Sequence, residues 1–377
     1  MTPRTTPPFR ADHVGSLLRP PELLQARAEL TAGRLSADAL RAVEDDAIRA
    51  AVAMQEEVGL QVATDGEFRR TTWMADFVYQ LGGVSPTSTA PFPSVAPDER
   101  GRLELTASGS GALVKIDGKV HLEHTIFGDD FETLRSMTTT ATPKLTIPSP
   151  SMVHYRGGRS AVDTTVYPDL DQLWEDLSAT YAAEIRALAD LGCTYLQLDD
   201  VTLAYVNDPA QREYIAGLGS DPEHQHEIYI RCINGALADK PAGMTVGVHL
   251  CRGNMKSSWM AEGGYDFVAE PLFNDLEVDG FFLEYDDYRS GTFEPLRFVP
   301  KGKIVILGLV TSKKGELESK DDLKRRIEEA SKFVDLDQLC LSPQCGFASV
   351  VEGNALTYDQ QVAKLRLVVE TAREVWG

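Results

Sequence analysis

The sequence predicts an α/β protein, a (β/α)8 TIM barrel with a β-hairpin insert after strand 2. Three observations carry that class. Eight short apolar runs alternate with amphipathic stretches along the 377 residues. No internal repeat of the kind that marks solenoids is present. No Gly-x-Gly-x-x-Gly follows any run, so the rival open doubly wound sheet lacks its usual dinucleotide signature.

The runs read as strands because they are short, rich in β-branched residues and bounded by polar or glycine breaks. They lie at 12–17 (DHVGSL), 60–66 (LQVATDG), 144–149 (KLTIPS), 194–199 (TYLQLD), 244–250 (MTVGVHL), 280–285 (GFFLEY), 303–310 (KIVILGLV) and 338–343 (QLCLSP). Between them, 37–58, 169–191, 223–239, 320–333 and 359–375 carry helical patterns. The clearest is 169–191, where Leu170, Leu173, Trp174, Leu177, Tyr181, Ile185 and Leu188 mark one helical face. Asp169 is placed to cap its start and Gly192 to end it. Strand–helix alternation implies parallel strands joined by right-handed crossovers. The segment 85–125 breaks the rhythm: a Pro/Ser/Thr-rich stretch precedes alternating apolar residues with Gly-Ser-Gly and Asp-Gly turn signals. It reads as a β-rich insert within a single barrel domain spanning 1–377.

Composition excludes several function classes. Lys and Arg number 37 against 57 Asp and Glu, a net charge of −20. Nucleic acid and anionic membrane surfaces both call for a cationic surplus, so neither is a partner. The longest apolar runs are too short to span a bilayer. The start, MTPRTTPPFRADHVG, has no apolar signal core. Five cysteines (Cys193, Cys232, Cys251, Cys340, Cys345) with no scaffold spacing indicate free thiols in a reducing cytoplasm. The expected partners are small molecules, with a homo-oligomer left open.

A (β/α)8 barrel carries its active site at the C-terminal strand ends. Those ends hold Gly15 and Ser16; Asp65, Gly66 and Glu67; Asp199 and Asp200; His249 and Cys251; Glu284; and Cys345. Residues two apart on a strand face the same side, so His249 and Cys251 both point to the mouth. With Glu284 and Cys345 they offer one N, two S and one O donor, a set suited to Zn2+. Cys193, Cys232 and Cys340 read as inert buried thiols. Asp65, Glu67, Asp199 and Asp200 form a carboxylate cluster that either binds an ammonium or second cation, acts as acid and base, or caps the following helices. Asp286 and Asp287 with Arg289 read as a surface ion pair.

HVGS at 13–16, TDGEF at 64–68, LQLDD at 196–200, HLCRGN at 249–254, FFLEYDD at 281–287 and SPQCGF at 342–347 run in order through nearly the whole chain. Together they resemble the cobalamin-independent methionine synthase family, most closely its short single-barrel members related to the catalytic C-terminal half. The resemblance implies one Zn2+ per chain on His249, Cys251, Glu284 and Cys345, and transfer of a methyl or other alkyl group to a thiol. It maps the homocysteine carboxylate onto Ser16 and the amino group onto Glu67 and Asp199. It supplies no catalytic residue beyond the metal site, because the stretch Gly308 to Lys314, GLVTSKK, lacks the family's proton-donor His. The family's folate-holding Asn-Trp-Ser-Phe is also missing near 150–156, PSMVHYR, where His154, Tyr155 and Arg156 either line a different donor pocket or cap a loop.

Three readings follow. One is a zinc-dependent homocysteine methyltransferase with a donor other than methylated polyglutamyl folate. Another is alkyl transfer to a different thiol, as in epoxyalkane:coenzyme M transferases, which needs cations such as Arg19, Arg69, Arg70, Arg156 or Arg252. The last is a non-catalytic zinc or ligand-sensing barrel.

Overall fold

The computed structural model describes residues 4–87, 97–103 and 114–377. Its strands are β1 (Val62–Ala63), β2 (Gly82–Pro86), β3 (Val114–His121), β4 (Thr142–Pro143), β5 (Leu145–Pro148), β6 (Tyr195–Asp200), β7 (Thr245–Leu250), β8 (Gly280–Glu284), β9 (Ile304–Val310) and β10 (Leu339–Pro343). Strands β5 to β10 form one six-stranded sheet in sequence order, every pair parallel. Nearly all their residues are buried, as expected where a parallel sheet is covered on both faces.

The arc continues beyond both edges. Ala11 bridges Leu341 of β10 in parallel. At the other edge β4, one residue ahead of β5, pairs in parallel with β1. The Leu17 N–H donates to Gly66 O at 3.1 Å and joins the two ends. Seven of the eight expected strands therefore occur, in the expected order. The segment at 12–17 is corrected: it forms no regular strand, and the one bridge beside it is at Ala11. Gly15 explains the break. Its φ is +143°, and a Cβ there would lie 2.9 Å from the Thr146 methyl.

The predicted helices appear at Ala37–Glu57, Leu170–Asp190, Gln225–Leu237, Lys320–Ala330 and Tyr358–Trp376. Asp169 caps Leu170–Asp190 by accepting the Asp171 N–H, and Gly192 follows its end at φ +91°. That helix packs its apolar face on Gln225–Leu237 and the strands behind it. No described helix is long and apolar enough to cross a membrane.

In the insert, β2 and β3 pair antiparallel. Leu105, Leu113 and the Gly-Ser-Gly signal lie outside the described residues. The Asp117-Gly118 turn signal is corrected: both residues lie inside β3, beside a register shift between Gly82 and Val84. A Cβ on Gly83 would meet Lys119 O at 2.4 Å, and Gly83 has φ +79°. The glycine here serves a bulge and close backbone approach, not a chain reversal.

Candidate active site

Four side chains from separate strand ends meet at the mouth. His249 is the penultimate residue of β7, Cys251 follows that strand, Glu284 ends β8 and Cys345 lies two residues past β10. One ligand atom from each lies within 4.8 Å of every other. The Cys251 and Cys345 sulfurs are 3.4 Å apart. Gly308 permits this convergence, since a Cβ there would sit 2.6 Å from the Gln344 Cα.

The group fits a metal ion on its own bonding. Neither His249 ring nitrogen has a hydrogen-bond partner, and Glu284 Oε2 has none. Glu284 Oε1 accepts the Arg252 N–H at 3.1 Å, which fixes the carboxylate and leaves the other oxygen free. Buried polar atoms without partners are costly, so three at one point suit coordination of a cation. The donor set of one imidazole, two thiols and one carboxylate matches the Zn2+ preference. Within the thiol pair, hydrogen bonding to Cys251 draws Cys345 down, and the same contact raises Cys251. Burial alone would depress the His249 imidazole, but attraction to the Cys345 sulfur outweighs it and raises the pKa.

A second cluster shares the cavity. Ser16, Glu67 and Asp199 line it together with His249, Cys251 and Cys345. The cavity opens to solvent at its mouth. Asp199 stands opposite His249 in the β6–β7 register. Its Oδ1 accepts Gln197 Nε2 at 2.7 Å. Burial pushes its carboxyl up to about 7; His249 pulls it down and repulsion from Glu67 adds to the rise. Glu67 is also raised, first by burial, against the pull of Arg70 and Arg19. Its backbone sits at φ +60°, a strained conformation for a non-glycine residue. The Glu67 N–H donates to Asp65 Oδ1 at 2.8 Å, and Oε1 accepts the Thr146 hydroxyl at 3.2 Å. Oε2 is buried and unpartnered. Ser16 Oγ accepts the Ala348 N–H at 3.3 Å.

The other predicted residues sort differently. Asp200 takes the capping role: its Oδ1 accepts the Leu203 N–H and the Thr202 hydroxyl at 2.9 Å each. Asp65 is spent on the turn that holds Glu67. The surface ion pair is corrected, because Asp286 and Arg289 are both 2% exposed in their side chains. Arg289 is drawn inward by stacking 4.4 Å over Trp259. His154 and Tyr155 turn away from the cavity, His154 to Tyr229 and Tyr155 to Gln211. Cys193, Cys232 and Cys340 are buried, and burial pushes each thiol up to about 12.

Four of the five candidate arginines are structural. Arg19 donates to four backbone carbonyls. Arg69 pairs with Asp45 and Asp130. Arg70 holds Thr146, and Arg252 holds Gly263 O, Glu284 O and the Tyr265 hydroxyl. Arg156 alone of the five lines the cavity.

Lys313 is a residue the strand-end reasoning missed. Its ammonium donates to Gly253 O, Asn254 Oδ1 and Ser258 O, bracing the loop after Cys251. A lysine three residues past a strand end was the available signal, but its partners lie 55 or more residues away in sequence.

Residues 9–97 and 157–374 match the family described as "Cobalamin-independent synthase, Catalytic domain". The chain is 47% identical to the Bacillus subtilis protein YxjH, over 98% of this chain and 95% of that one. It is 23% identical to a methionine synthase of Pyrococcus abyssi, over 88% and 84% of the two chains. A solved structure from Listeria monocytogenes, assigned to the vitamin-B12 independent methionine synthases, superposes with a TM-score of 0.79 at 38% identity, covering 99% of this chain and 100% of that one. A B12-independent methionine synthase from Shewanella sp. W3-18-1, solved with selenomethionine, shares the fold with a TM-score of 0.70 at 20% identity, covering 97% of each chain.

Proposed function

The chain belongs to the cobalamin-independent synthase family, and from that premise we propose that it is a zinc-dependent S-methyltransferase whose acceptor is homocysteine and whose product is methionine. The observation that carries this reading is the sharing of one cavity by the His249, Cys251, Glu284 and Cys345 cluster and two buried carboxylates, Glu67 and Asp199. A metal-binding group alone suits many thiols. Two buried acids beside it suit a thiol that also carries an ammonium.

His249, Cys251, Glu284 and Cys345 would hold the metal. Zn2+ held there supplies Lewis acidity that favours the thiolate of a small thiol, whose free pKa near 8.5 leaves it mostly protonated at pH 7. Glu67 and Asp199 receive the substrate ammonium. Ser16 donates its hydroxyl proton to the substrate carboxylate, its oxygen being already engaged as an acceptor. These contacts fix the acceptor sulfur in line with the donor carbon and lower the entropic cost of transfer. The new S–C bond forms as the donor C–X bond breaks, and X leaves with that electron pair. The missing proton-donor His at 308–314 and the missing folate-holding motif near 150–156 both set the donor apart from a methylated polyglutamyl folate.

The sulfonate-thiol alternative has less support, because four of its five candidate cations, Arg19, Arg69, Arg70 and Arg252, are committed to protein partners, which leaves it Arg156 alone. Calorimetric titration of the zinc-loaded and metal-free protein with homocysteine and with coenzyme M tests the reading. Homocysteine should bind the loaded form with proton release. Tighter binding of coenzyme M, or no proton release with either thiol, would overturn it.

A further inference from the structure

The cavity also has an apolar part to its lining. It is made by Trp73, Leu103, Met255, Met260 and Val350. Into this wall projects the half-buried Arg156. Among the described residues its guanidinium makes one hydrogen bond, Nη2 to Met260 Sδ at 3.4 Å, no ion pair and no ring stacking. Its own carbonyl accepts the Tyr214 hydroxyl at 3.1 Å, which anchors the backbone behind it. Every other candidate arginine is held by carbonyls, hydroxyls or carboxylates.

A partly desolvated cation facing apolar groups is costly unless something pairs it. In a chain with 57 acidic residues, a carboxylate partner would have been easy to supply. The cations that act on Glu67 are Arg70 and Arg19, and those on Asp199 are His249 and Arg70. Arg156 acts instead on Tyr155 and Tyr205. The acceptor's carboxylate is already assigned to Ser16, so Arg156 is left for a different anionic group.

We infer that Arg156 is the recognition point for a single anionic group, of the carboxylate class, on the alkyl donor, and that the rest of the donor is apolar and lies along Met255, Met260 and Trp73. This inference rests on the thiol-transfer reading of the cavity. It adds the chemical class of the second substrate: an apolar body with one negative charge. Guanidinium recognises a carboxylate by two parallel hydrogen bonds, which fixes orientation as well as charge. Arg156 takes no part in bond breaking; it positions the donor.

The test is calorimetry on the zinc-loaded protein with phenylacetate and its uncharged analogue phenylacetamide, each with and without saturating homocysteine. Phenylacetate should bind at least about tenfold more tightly than the amide, against the general repulsion of a protein with net charge −20. That preference should vanish in Arg156→Met and return in part in Arg156→Lys, while zinc content and homocysteine affinity stay within about twofold of wild type. Equal binding of acid and amide to the wild type, or a preference that survives Arg156→Met, would overturn the proposal. So would a loss of homocysteine affinity in Arg156→Met with the acid preference intact, which would give Arg156 to the acceptor's carboxylate. Failure of homocysteine to bind the wild type would instead sink the thiol reading, with the acid–amide comparison still deciding the role of Arg156.

Discussion

Asp199 and His249 are register partners on adjacent parallel strands, so a carboxylate of the acid pair and a member of the metal-binding cluster stand at one level of the barrel. Backbone pairing sets this relation, not side-chain packing. The separation of the cluster from Asp199 is thereby set by the sheet itself.

Asp199→Asn removes the charge and keeps the shape. A charge-assisted hydrogen bond contributes about 1.5–3 kcal/mol, so homocysteine affinity should fall roughly tenfold to a hundredfold. 4-Mercaptobutyrate, which lacks the amine, should bind both forms alike. Calorimetry on both thiols checks this; an equal loss for each would mean that Asp199 acts on something other than the ammonium.

The metal cluster makes a separate prediction. Purified protein should carry about one zinc per chain, and Cys251→Ser or Cys345→Ser should lower that sharply. Free zinc at about 100 times its dissociation constant should also stabilise the fold by about 2.7 kcal/mol against urea, a gain that chelation reverses. Unchanged metal content in both variants would remove these residues from the ligand set.

The metal cluster is legible in the sequence because parallel strands deliver their C-terminal residues to one rim. Reading the last residues of eight runs suffices to bring His249, Cys251, Glu284 and Cys345 together. The roles of charged residues are less legible. Arg156 and Arg252 look equivalent as letters, yet one faces the cavity and the other is locked by Tyr265 and two carbonyls. Arg289 is read as a surface residue until Trp259 is known to lie 4.4 Å beneath it. Such outcomes depend on contacts between distant loops, which carry no periodicity. Gly15 similarly hides the irregular first strand, since a glycine in an apolar run does not announce its φ.

Below the site, Lys144 and Asp12 form a fully buried pair at 2.9 Å, both with 0% side-chain exposure. Lys144 also donates to Gln197 Oε1 at 3.1 Å, and Gln197 in turn holds Asp199. Lys144→Met takes the cation from Asp12, which keeps the Tyr195 hydroxyl and the Phe9 and His13 N–H groups, and removes the donor to Gln197 Oε1. Breaking a buried pair from one side costs about 3–5 kcal/mol, so urea denaturation should register a loss of that size. Homocysteine affinity should fall as well, because Asp199 loses its fixed orientation. A stability loss under about 1 kcal/mol would mean that solvent or a neighbour replaces the pair.

Glu184 supplies a pH prediction far from the cavity. Burial pushes its carboxyl from 4.5 up to about 7, partly opposed by the N–H groups of Ile126 and Phe127. The folded state therefore binds this proton more tightly than the unfolded chain does. The stabilisation is fully present below about pH 4.5 and is lost as pH rises through about 7. The shift corresponds to roughly 3 kcal/mol. Glu184→Gln cannot titrate, and its carbonyl oxygen can still accept the Ile126 N–H. Urea midpoints of wild type and variant should therefore run together below about pH 4.5, diverge as pH rises to about 7 and keep a constant gap above it, with the variant the more stable. Subtracting one curve from the other cancels every other titrating group. A difference that stays flat from pH 5 to pH 8 would mean that Glu184 titrates alike in the folded and unfolded chains.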